Sequence, residues 1–499
     1  MTTSSSTQSS QISRKNVAAC IIGSGLGGLE CARILAHQGC CVTVLEREYQ
    51  PGGCTQSYRR GRFLLDTGMH YVGGLAEGQS LHDAFKELNL LHLPWVRLDS
   101  DGFDRITIGG HTYRLAEGYN NFVETLAKDF PSQRQALEHY AGTMRLSGSN
   151  DPKVARWMME TNAWDWLHET FSDPLLINVL SGSSMKLELR KESLPLFTFM
   201  HCNSSYIESS WRLRGNGSQI SQSLIHDIES EGGKVVCNAE VVELKETDGR
   251  ITEAVCKDGR TFTADVFISD IHPAAACSLV KESRKIRQVF RRRMAEQTNT
   301  CGMFTVSLVL KPHKIRYFNH NHFVYRNADV WDFYLKDGPV GGEMISCRVP
   351  DDANVSVDGR LLDKELWAEQ IDLLTPMTWS EVEQWADTTV GHRPESYKAF
   401  KARRAEECVR LAETVVPGIS EAIESVYTST PLTYRDYTLT PQGSAFGMRK
   451  DSGNALMTEI SIHTPVPNLL LTGQSVILHG IQGVTITAFE TTSEIGSTM

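Results

Sequence analysis

Residues 17–53 read VAACIIGSGLGGLECARILAHQGCCVTVLEREYQPGG, and this stretch decides the fold. Residues 17–22 form an apolar run that is long enough for a buried strand but too short for a helix. The run leads into glycines spaced G-x-G-x-x-G, and residues 29–37 then carry apolar side chains at helical spacing. Residues 41–45 form a second apolar run, which Glu46 closes. A strand, a glycine turn, a helix and a strand in this order predict one βαβ unit.

The glycine spacing and the acidic residue after the second strand indicate dinucleotide binding. Gly23 permits a tight turn, Gly25 lets the backbone approach a pyrophosphate, and Gly28 lets the helix pack closely on the strand. The pyrophosphate would lie at the positive end of the helix, against its free N–H groups. Glu46 lies 18 residues beyond Gly28, near the spacing of about 20 at which a carboxylate binds a ribose 2′-hydroxyl. An ordinary glycine-rich turn is the alternative, but it leaves Glu46 without a role.

A second glycine pair favours FAD over NAD. Pro51, Gly52 and Gly53 follow Glu46 and Arg47 and predict a second turn with exposed backbone beside the pyrophosphate. In a plain NAD domain the chain after the acidic residue would continue to the next crossover, and an ordinary Pro-Gly turn is the alternative here. The sequence has no second G-x-G-x-x-G, so a built-in NAD(P)H domain is not expected. The electron donor or acceptor is unknown: a partner protein, a quinone, or a reductant entering the substrate cleft.

Composition bounds the class of protein. The chain has 499 residues, which is more than one core normally supports, so two or more domains are expected. Hydrophobic residues make up 40% and charged residues 22%, as in ordinary soluble globular proteins. A net charge of −10 argues against a nucleic-acid partner. The 12 cysteines form no C-x-x-C pair, which predicts a reducing compartment and no structural disulfides.

The predicted location is cytoplasmic, with peripheral contact to a membrane surface as an addition. No apolar stretch approaches the roughly 20 residues of a transmembrane helix. Residues 1–16 are rich in Ser and Thr and have no apolar core, so a disordered tail is expected rather than a secretory signal, with a short transit peptide as the alternative. The stretch from Lys281 to Met294 predicts a basic amphipathic helix, which suits an anionic membrane. A solvated helix with one face on the core is the alternative.

The rest of the chain alternates between two kinds of pattern. Short strands at 240–244, 251–255 and 261–263 predict a three-stranded antiparallel insertion, and a glycine turn before a helix at 484–491 returns to α/β pattern. Residues 103–115 predict a hairpin, residues 131–210 aromatic-rich helices, and residues 365–379 and 397–411 two more helices. The predicted fold class is α/β, with a Rossmann-like FAD-binding domain of the amine-oxidase type and an inserted α+β substrate domain. The FAD-binding domain is assigned residues 17–100, 211–283 and 441–499, and the substrate domain residues 101–210 and 284–440.

Several stretches resemble the FAD proteins of the phytoene desaturase, carotenoid isomerase and retinol saturase group. They are IIGSGLGGLECARILAHQGCCVTVLE, PGGC, FLLDTGMHYVGG, LRGNGSQISQSLIHDIESEGGKV, ISDIHP, TPLTYRDYTLTPQGSAFGM and NLLLTGQSV. Within the group, DTGMHY and LTGQ are most similar to bacterial relatives of retinol saturase. The resemblance implies an FAD-dependent oxidoreductase on C=C bonds of a hydrophobic polyene, a retinoid or carotenoid, with saturation expected and isomerisation or desaturation as alternatives. An amine or porphyrinogen oxidase and a non-catalytic prenyl-binding escort are more distant alternatives.

The resemblance also implies roles for individual residues. The ADP half of FAD would be held by Gly23, Gly25, Gly28, Glu46, Arg47, Gly52 and Gly53, with Val241 touching the adenine through its backbone. The flavin end would be held by Gly473, Gln474, Gly483 and Val484. Two positions depart from related proteins: Gln474 stands where many carry an acidic residue, and Cys54 where related oxidases often have Arg.

Saturating a C=C bond needs a proton as well as a hydride, so a proton donor is expected near the flavin. The candidates are His70, Tyr434, Tyr437 and His479. His70 follows a short strand expected to pass the flavin, and both tyrosines lie in the TPLTYRDYT stretch that resembles the family. His479 lies next to the predicted flavin end. The alternatives are a structural histidine at position 70, core aromatics for the tyrosines, and a residue that shapes the pocket at position 479.

Overall fold

The computed structural model describes residues 17–149, 151–336, 338–363 and 365–495, and the tail expected at 1–16 lies outside them. Within those ranges the strands, in chain order, are β1 Ala18–Ile22, β2 Cys41–Leu45, β3 Ser57–Arg60, β4 Phe63–Asp66, β5 Val72–Gly73, β6 Trp95–Arg97, β7 Asp104–Ile108, β8 His111–Leu115, β9 Ser210–Leu213, β10 Lys234–Val236, β11 Val241–Thr247, β12 Arg250–Cys256, β13 Thr261–Thr263, β14 Val266–Ser269, β15 Gly302–Leu310, β16 Asn321–Tyr325, β17 Gly342–Cys347, β18 Gln370–Met377, β19 Ile423–Ser429 and β20 Leu469–Leu471. The α-helices are α1 Leu26–His37, α2 His82–Glu87, α3 Tyr119–Asp129, α4 Arg134–Leu146, α5 Pro152–Glu160, α6 Ala163–Thr170, α7 Pro174–Ser181, α8 Leu196–Glu208, α9 Ser218–Ser230, α10 Pro273–Leu279, α11 Gln288–Ala295, α12 Glu395–Ala412, α13 Ile419–Ala422, α14 Pro431–Thr438, α15 Ala455–Thr458 and α16 Gly480–Ser493.

A parallel sheet carries the predicted βαβ unit. Its strand order is β10-β2-β1-β14-β20, with every neighbouring pair parallel. Helices α1, α9 and α16 pack with this sheet in one apolar core. Strand β1 is buried along almost its whole length because helices and neighbouring strands enclose it, which explains its continuous apolar sequence. The predicted Rossmann-like α/β architecture is confirmed.

Helix α1 begins inside the glycine motif rather than after it. The sequence pattern starts the helix at residue 29, whereas the structure starts it at Leu26, with Gly25 as the N-terminal cap. The glycines therefore form the first turn of the helix. That turn presents backbone N–H groups that have no partner within the helix.

The predicted antiparallel insertion is present as β11, β12 and β13, in that order. It joins α9 and β10 to β14, so the chain leaves the parallel sheet and returns to its centre. The turn between β11 and β12 contains Asp248 and Gly249, both with positive φ. A hairpin turn at Asp-Gly is therefore confirmed.

A larger mixed sheet covers the other side of the site. Its order in the described chain is β19-β15-β18-β17-β16-β7-β8, and the predicted hairpin of 103–115 supplies β7 and β8. Strand β7 pairs in parallel with β16, which joins the N-terminal part of the chain to the 300s. Helices α3 to α8 pack against this sheet in an aromatic-rich core. The domain boundaries drawn from the sequence stay a prediction.

One predicted helix is wrong. Residues 365–379 were expected to be helical, but Gln370–Met377 forms strand β18 between β15 and β17. Almost every residue of this strand is buried. A fully buried strand has no polar face, so its apolar run cannot be distinguished by periodicity from a buried helix. The helix expected at 397–411 is confirmed as α12.

The basic amphipathic helix is shorter than expected, and two apolar residues of the predicted stretch are buried in the protein interior. Of the predicted stretch from Lys281 to Met294, the α-helix covers only the part that begins at Gln288. Ile286 and Met294 are buried in separate apolar clusters, so they do not face solvent. Within the described residues, none of the helices combines the length and the apolar character needed to cross a membrane.

Candidate active site

The carboxyl ends of the parallel strands define the site. Ile22, Leu45, Ser269 and Leu471 end β1, β2, β14 and β20 at one edge of the sheet. Each strand therefore delivers its next residue to the same place. Ligands of open α/β sheets bind at this edge.

A cavity of about 730 Å³ opens at this edge and continues toward the mixed sheet. Most of the predicted site residues line it: Gly23, Gly25, Glu46, Arg47, Gly53, His70, Val241, Tyr434, Tyr437, Gly473, Gln474, His479, Gly483 and Val484. Gly28 and Gly52 lie just behind its wall. A Cβ on Gly28 would collide with the carbonyl oxygen of Gly23, and a Cβ on Gly52 would lie 2.8 Å from Ser221 Oγ.

The glycine turn is packed so closely against its neighbours that no side chain would fit. Gly23 has φ +96°, and a Cβ on Gly25 would overlap the carboxylate of Asp270. A Cβ on Gly27 would lie 2.9 Å from Asp270 Oδ1 and 3.1 Å from the backbone nitrogen of Gly473. The three segments thus approach each other as closely as backbone allows. This is the cradle that a pyrophosphate requires.

Glu46 is held in place by backbone at the end of β2. Its Oε2 accepts a hydrogen bond from the Ser24 N–H at 3.1 Å, and its Oε1 accepts one from the Glu48 N–H at 2.8 Å. The Ser24 hydroxyl also donates to Oε2. These bonds fix a carboxylate on the cavity wall beside the glycine turn, where a ribose hydroxyl could donate to it.

Arg47 lines the cavity but is committed to protein partners. Its Nη2 donates to the carbonyl oxygens of Asp436 at 3.1 Å and Tyr437 at 3.2 Å, and lies 2.6 Å from Glu48 Oε1. Arg47 therefore ties the C-terminal turn of α14 to the nucleotide end of the cavity. Its role as a direct cofactor ligand stays a prediction.

Asp270 is a site residue that the sequence reasoning missed. It follows β14, so its carboxylate lies between the glycine turn and Gly473. Burial raises its pKa to about 7, and the charge of Glu46 adds to the rise, although N–H groups of Gly28 and Gly25 stabilise the carboxylate. The signal was present, because a residue directly after a strand of a parallel sheet lies at the ligand edge.

Gly473 and the start of α16 form the flavin end of the cavity, the part that the resemblance assigns to the flavin. Gly473 has φ +90°, and a Cβ on Gly483 would press on Leu478. Gln474 and Val484 also line this end, and the buried Oε1 of Gln482 has no hydrogen-bond partner in the described structure. The first turn of a helix offers N–H groups and a positive dipole end. Closely packed glycines at the nucleotide end and at the flavin end, together with the carboxylate of Glu46, fit the binding of FAD.

The two candidate histidines are neutral at pH 7. Burial, with the charge of Arg212, lowers the pKa of His70 to about 4. Burial also lowers the pKa of His479 to about 4. His479 Nε2 lies 3.0 Å from the carbonyl oxygen of Lys186, to which it donates. Neither imidazole is charged near neutrality, so neither is suited to act as an imidazolium acid.

The two candidate tyrosines differ in their surroundings. Burial raises the pKa of Tyr434, which lies on the cavity wall near Cys54. Tyr437 is 51% exposed, and its carbonyl is bound by Arg47 at the nucleotide end. A role for Tyr437 in proton transfer is the least supported of the four, and all four assignments stay predictions.

An apolar wall extends from the flavin end toward the mixed sheet. It is formed by residues from several segments that are distant in sequence: Met69, Met185, Met303, Phe323, Met344, Leu374 and Phe446. Methionine adapts its shape to irregular apolar surfaces. This part of the cavity suits an elongated hydrophobic molecule.

Comparison with known proteins shows which family model matches the chain and which proteins it resembles. The model of the family described as "Flavin containing amine oxidoreductase" matches residues 26–495. The all-trans-retinol 13,14-reductase of Danio rerio is 25% identical over 93% of this chain and 83% of that protein. The chloroplastic prolycopene isomerase of Arabidopsis thaliana is 22% identical over 94% of this chain and 80% of that protein. The crystal structure of an oxidoreductase from Methanosarcina mazei has a TM-score of 0.65 at 16% identity and covers 95% of this chain and all of its own.

Proposed function

The chain belongs to the family of flavin-containing amine oxidoreductases, and from this premise we propose that it reduces C=C bonds of a hydrophobic polyene, a retinoid or a carotenoid. Its cofactor is FAD, and it is an oxidoreductase. The substrate class and the direction of electron flow are the proposed part. Similarity to the all-trans-retinol 13,14-reductase of Danio rerio over most of both chains supports them.

The observation that carries the proposal is the continuity of the cavity. One space runs from the glycine turn and Glu46, past the start of α16, to the wall of methionines and aromatics. A polyene has no charged group to bind, so its affinity and orientation must come from apolar contact. The wall supplies that contact next to the flavin end.

The chemistry divides between cofactor and protein. When bound and reduced, FAD supplies a hydride. The glycine turn and Glu46 bind the cofactor, and the apolar wall holds the double bond in line and keeps water away. A second group must give a proton to the neighbouring carbon, because hydride addition alone leaves a negative charge there.

Isomerisation is the second candidate, because the prolycopene isomerase of Arabidopsis thaliana also resembles this chain over most of its length. Isomerisation would use the same cavity without net electron transfer. Product mass separates the two reactions. A saturated product gains two hydrogens, whereas an isomer keeps its mass and changes only its spectrum.

The experiment incubates purified FAD-loaded protein with dithionite and a panel of all-trans-retinol, β-carotene and prolycopene under argon. Extracted products are separated and weighed by mass spectrometry. The proposal expects one member of the panel to gain two hydrogens. Unchanged mass with a new retention time supports the isomerase instead, and unchanged polyenes throughout contradict both. Protein from which FAD has been stripped is the control.

We also propose contact with an anionic membrane, at a surface composed of the exposed residues Val289, Leu456 and Met457 and the cations around α11. Val289 and Leu456 are each 70% exposed. Arg293 donates to the carbonyl oxygens of Leu456 and Met457, which holds these residues beside the helix. Apolar tips ringed by cations match the chemistry of an interface rich in anionic lipid.

Vesicle sedimentation tests this surface. We expect the protein to bind phosphatidylserine vesicles at low salt, and expect the double variant Val289→Ser, Leu456→Ser to bind several-fold less. The control variant Val357→Ser changes an exposed valine elsewhere. Equal sedimentation of all three proteins contradicts the proposal.

A further inference from the structure

Lys186 is a half-buried lysine on the wall of the cavity. It lies in a short 3-10 helix, Ser184–Leu187, between α7 and α8. Met185 and Leu187 on either side also line the cavity. Glu188 follows and is bound by Arg449 through two hydrogen bonds of 2.9 and 3.0 Å, which anchors the segment.

The backbone of Lys186 touches the flavin end. Its carbonyl oxygen accepts the hydrogen bond from His479, the residue that caps α16. The segment therefore lies against the helix start where Gly483 and Val484 line the cavity. This contact joins residues that are 293 positions apart in sequence.

The amine of Lys186 is held over aromatic rings. Its Nζ lies 3.9 Å from the centre of the Tyr206 ring and 5.5 Å from that of Tyr71. It donates to the Tyr71 hydroxyl at 3.3 Å, and that hydroxyl donates to Asp104 Oδ2 at 3.0 Å. Asn321 donates to the other oxygen of Asp104 at 2.9 Å. The faces of the aromatic rings stabilise the positive charge of the ammonium, and the hydrogen bonds through Tyr71 to Asp104 fix its position.

The titratable groups that face Lys186 lie on β7, on α8 and in the loop that contains Tyr71. Burial lowers the pKa of Lys186 to about 8, while the charge of Asp104 opposes that fall. Burial raises the pKa of Asp104 itself to about 6, so it is ionised at pH 7. Burial raises the pKa of Tyr206. The amine is therefore mostly charged at pH 7 and loses its proton just above.

Other titratable groups of the cavity do not match that behaviour. His70 and His479 are neutral near pH 7. Burial raises the pKa of the Cys54 thiol to about 11 and also that of Tyr434. Asp270 has a pKa of about 7, but its carboxylate is packed between the glycine turn and Gly473 and accepts hydrogen bonds from the Gly25 and Gly28 N–H groups. An acid works best when its pKa is near the working pH.

We propose that Lys186 is the proton donor of the reaction, a role that rests on the proposed function. A hydride adds to one carbon of the C=C bond, and the π electron pair takes a proton from the Lys186 ammonium at the other carbon. One C–H bond forms from the hydride and the other from the proton. The N–H bond of the ammonium breaks, and a neutral amine remains. Solvent returns a proton to the amine after the saturated product leaves. Tyr71 and Asp104 are positioning residues that aim the ammonium and favour its charged form.

The test follows single turnover of FAD-loaded, dithionite-reduced protein mixed with all-trans-retinol between pH 6 and pH 10. In the wild type we expect the rate constant to fall as pH rises through about 8. Lys186→Met should lose about 100-fold or more, lose this pH dependence, and keep its flavin absorbance. Lys186→Arg should be slow as well, because a guanidinium retains its proton.

Lys191→Met is the matched control. Lys191 also lies over an aromatic ring, 4.5 Å from the centre of the Trp164 ring, and pairs with Asp329 at 2.9 Å, away from the cavity. It should match the wild type at every pH. A Lys186→Met rate within threefold of wild type, or an unchanged pH profile in that variant, overturns the assignment while the proposed function stands. Failure of the wild type to oxidise its flavin with any polyene overturns the proposed function, and the donor role with it.

A second readout does not use turnover. Competitive acetylation with acetic anhydride, followed by peptide mass spectrometry, gives the pKa of each lysine in the FAD-loaded protein. We expect a midpoint near 8 for Lys186. A midpoint for Lys186 at the ordinary lysine value overturns the assignment.

Discussion

The nucleotide end of the cavity is built from backbone, and the substrate end is built from side chains. At the nucleotide end, glycines of two segments approach so closely that a Cβ on Gly25 or Gly27 would collide with Asp270 or come too close to Gly473. At the substrate end, methionines and aromatics from distant strands and loops meet across open space. Backbone geometry demands particular residues at particular spacings, whereas an apolar wall accepts many solutions. The nucleotide end is therefore rigid and can be recognised in the sequence, whereas the substrate end tolerates many different side chains.

The largest expected effect is at the glycine turn. Gly25→Val would force a branched side chain against the Asp270 carboxylate and push the glycine turn out of place. We expect FAD affinity to fall about 100-fold or more, since overpacking a tight site costs about 1–3 kcal/mol and the lost contacts add to it. Flavin fluorescence titration measures the affinity.

Gly142→Ala is the control for that variant. Gly142 lies inside α4, and a Cβ there meets nothing within 4 Å. This variant should bind FAD as the wild type does. Unchanged affinity in Gly25→Val would show that the nucleotide end is not built around close backbone approach.

The next effect is at Glu46. Glu46→Gln removes the charge that a ribose hydroxyl would bond, and it disturbs the bonds from the Ser24 and Glu48 N–H groups. Hydrogen bonds to charged groups contribute about 1.5–3 kcal/mol, so FAD affinity should fall about 10- to 100-fold. Isothermal titration with FAD gives the value, and riboflavin, which lacks the adenosine, should bind both proteins equally. A drop for riboflavin of the same size would place Glu46 outside ribose binding.

A change at the substrate end should weaken the reaction with the polyene and leave FAD binding intact. Met344→Trp fills part of the apolar wall, and we expect kcat/KM for the polyene to fall about tenfold or more while FAD affinity stays within threefold. Leu335→Trp, at a position that is 44% exposed, is the control. Equal loss of FAD and substrate binding in Met344→Trp would mean that the two ends are not separate.

The smallest effect concerns pH at the nucleotide end. The folded-state pKa of Asp270 is raised to about 7, so the folded apoprotein holds this proton more tightly than the unfolded chain does. Its contribution to stability is therefore present at low pH and is lost as pH rises toward 7. An ionised Asp270 beside the glycine turn would also repel a pyrophosphate. FAD affinity should fall several-fold between pH 6 and pH 8.

Asp270→Asn tests this directly. The variant should bind FAD equally at pH 6 and pH 8. Its apoprotein should have a higher Tm than wild type at pH 8 and a smaller excess at pH 5, because the difference opens between the ordinary Asp pKa of 3.8 and the folded-state pKa of about 7. The two comparisons separate charge from packing, because Asn has nearly the same shape. A pH dependence that survives in Asp270→Asn assigns it to another group.

The same contrast explains what could be predicted from the sequence. The βαβ unit, the antiparallel insertion and most of the nucleotide-end residues followed from spacing, because glycines and an acidic residue at a strand end have few other uses. Asp270 could have been found by the same rule, since it ends β14. Lys186 could not, because its neighbours on β7, α8 and α16 become neighbours only through the tertiary fold.

The wrong helix at 365–379 and the shortened basic helix share one physical cause. Strand β18 looked helical because burial on both faces removes the alternation that marks a strand. The basic stretch looked amphipathic, but Ile286 and Met294 pack into different clusters rather than forming one exposed face. Sequence patterns report which residues are apolar, and tertiary packing decides which neighbours they meet.

The proposed function requires that FAD, held at the backbone-built end, would supply a hydride to a polyene held at the side-chain-built end. The most direct measurement is the absorption spectrum of the FAD-loaded protein, bleached by anaerobic reduction and then mixed with all-trans-retinol. We predict that the absorption band of oxidised flavin returns (about one flavin per polyene reduced) while the polyene band falls. A band that stays bleached over an unchanged polyene spectrum would contradict the claim.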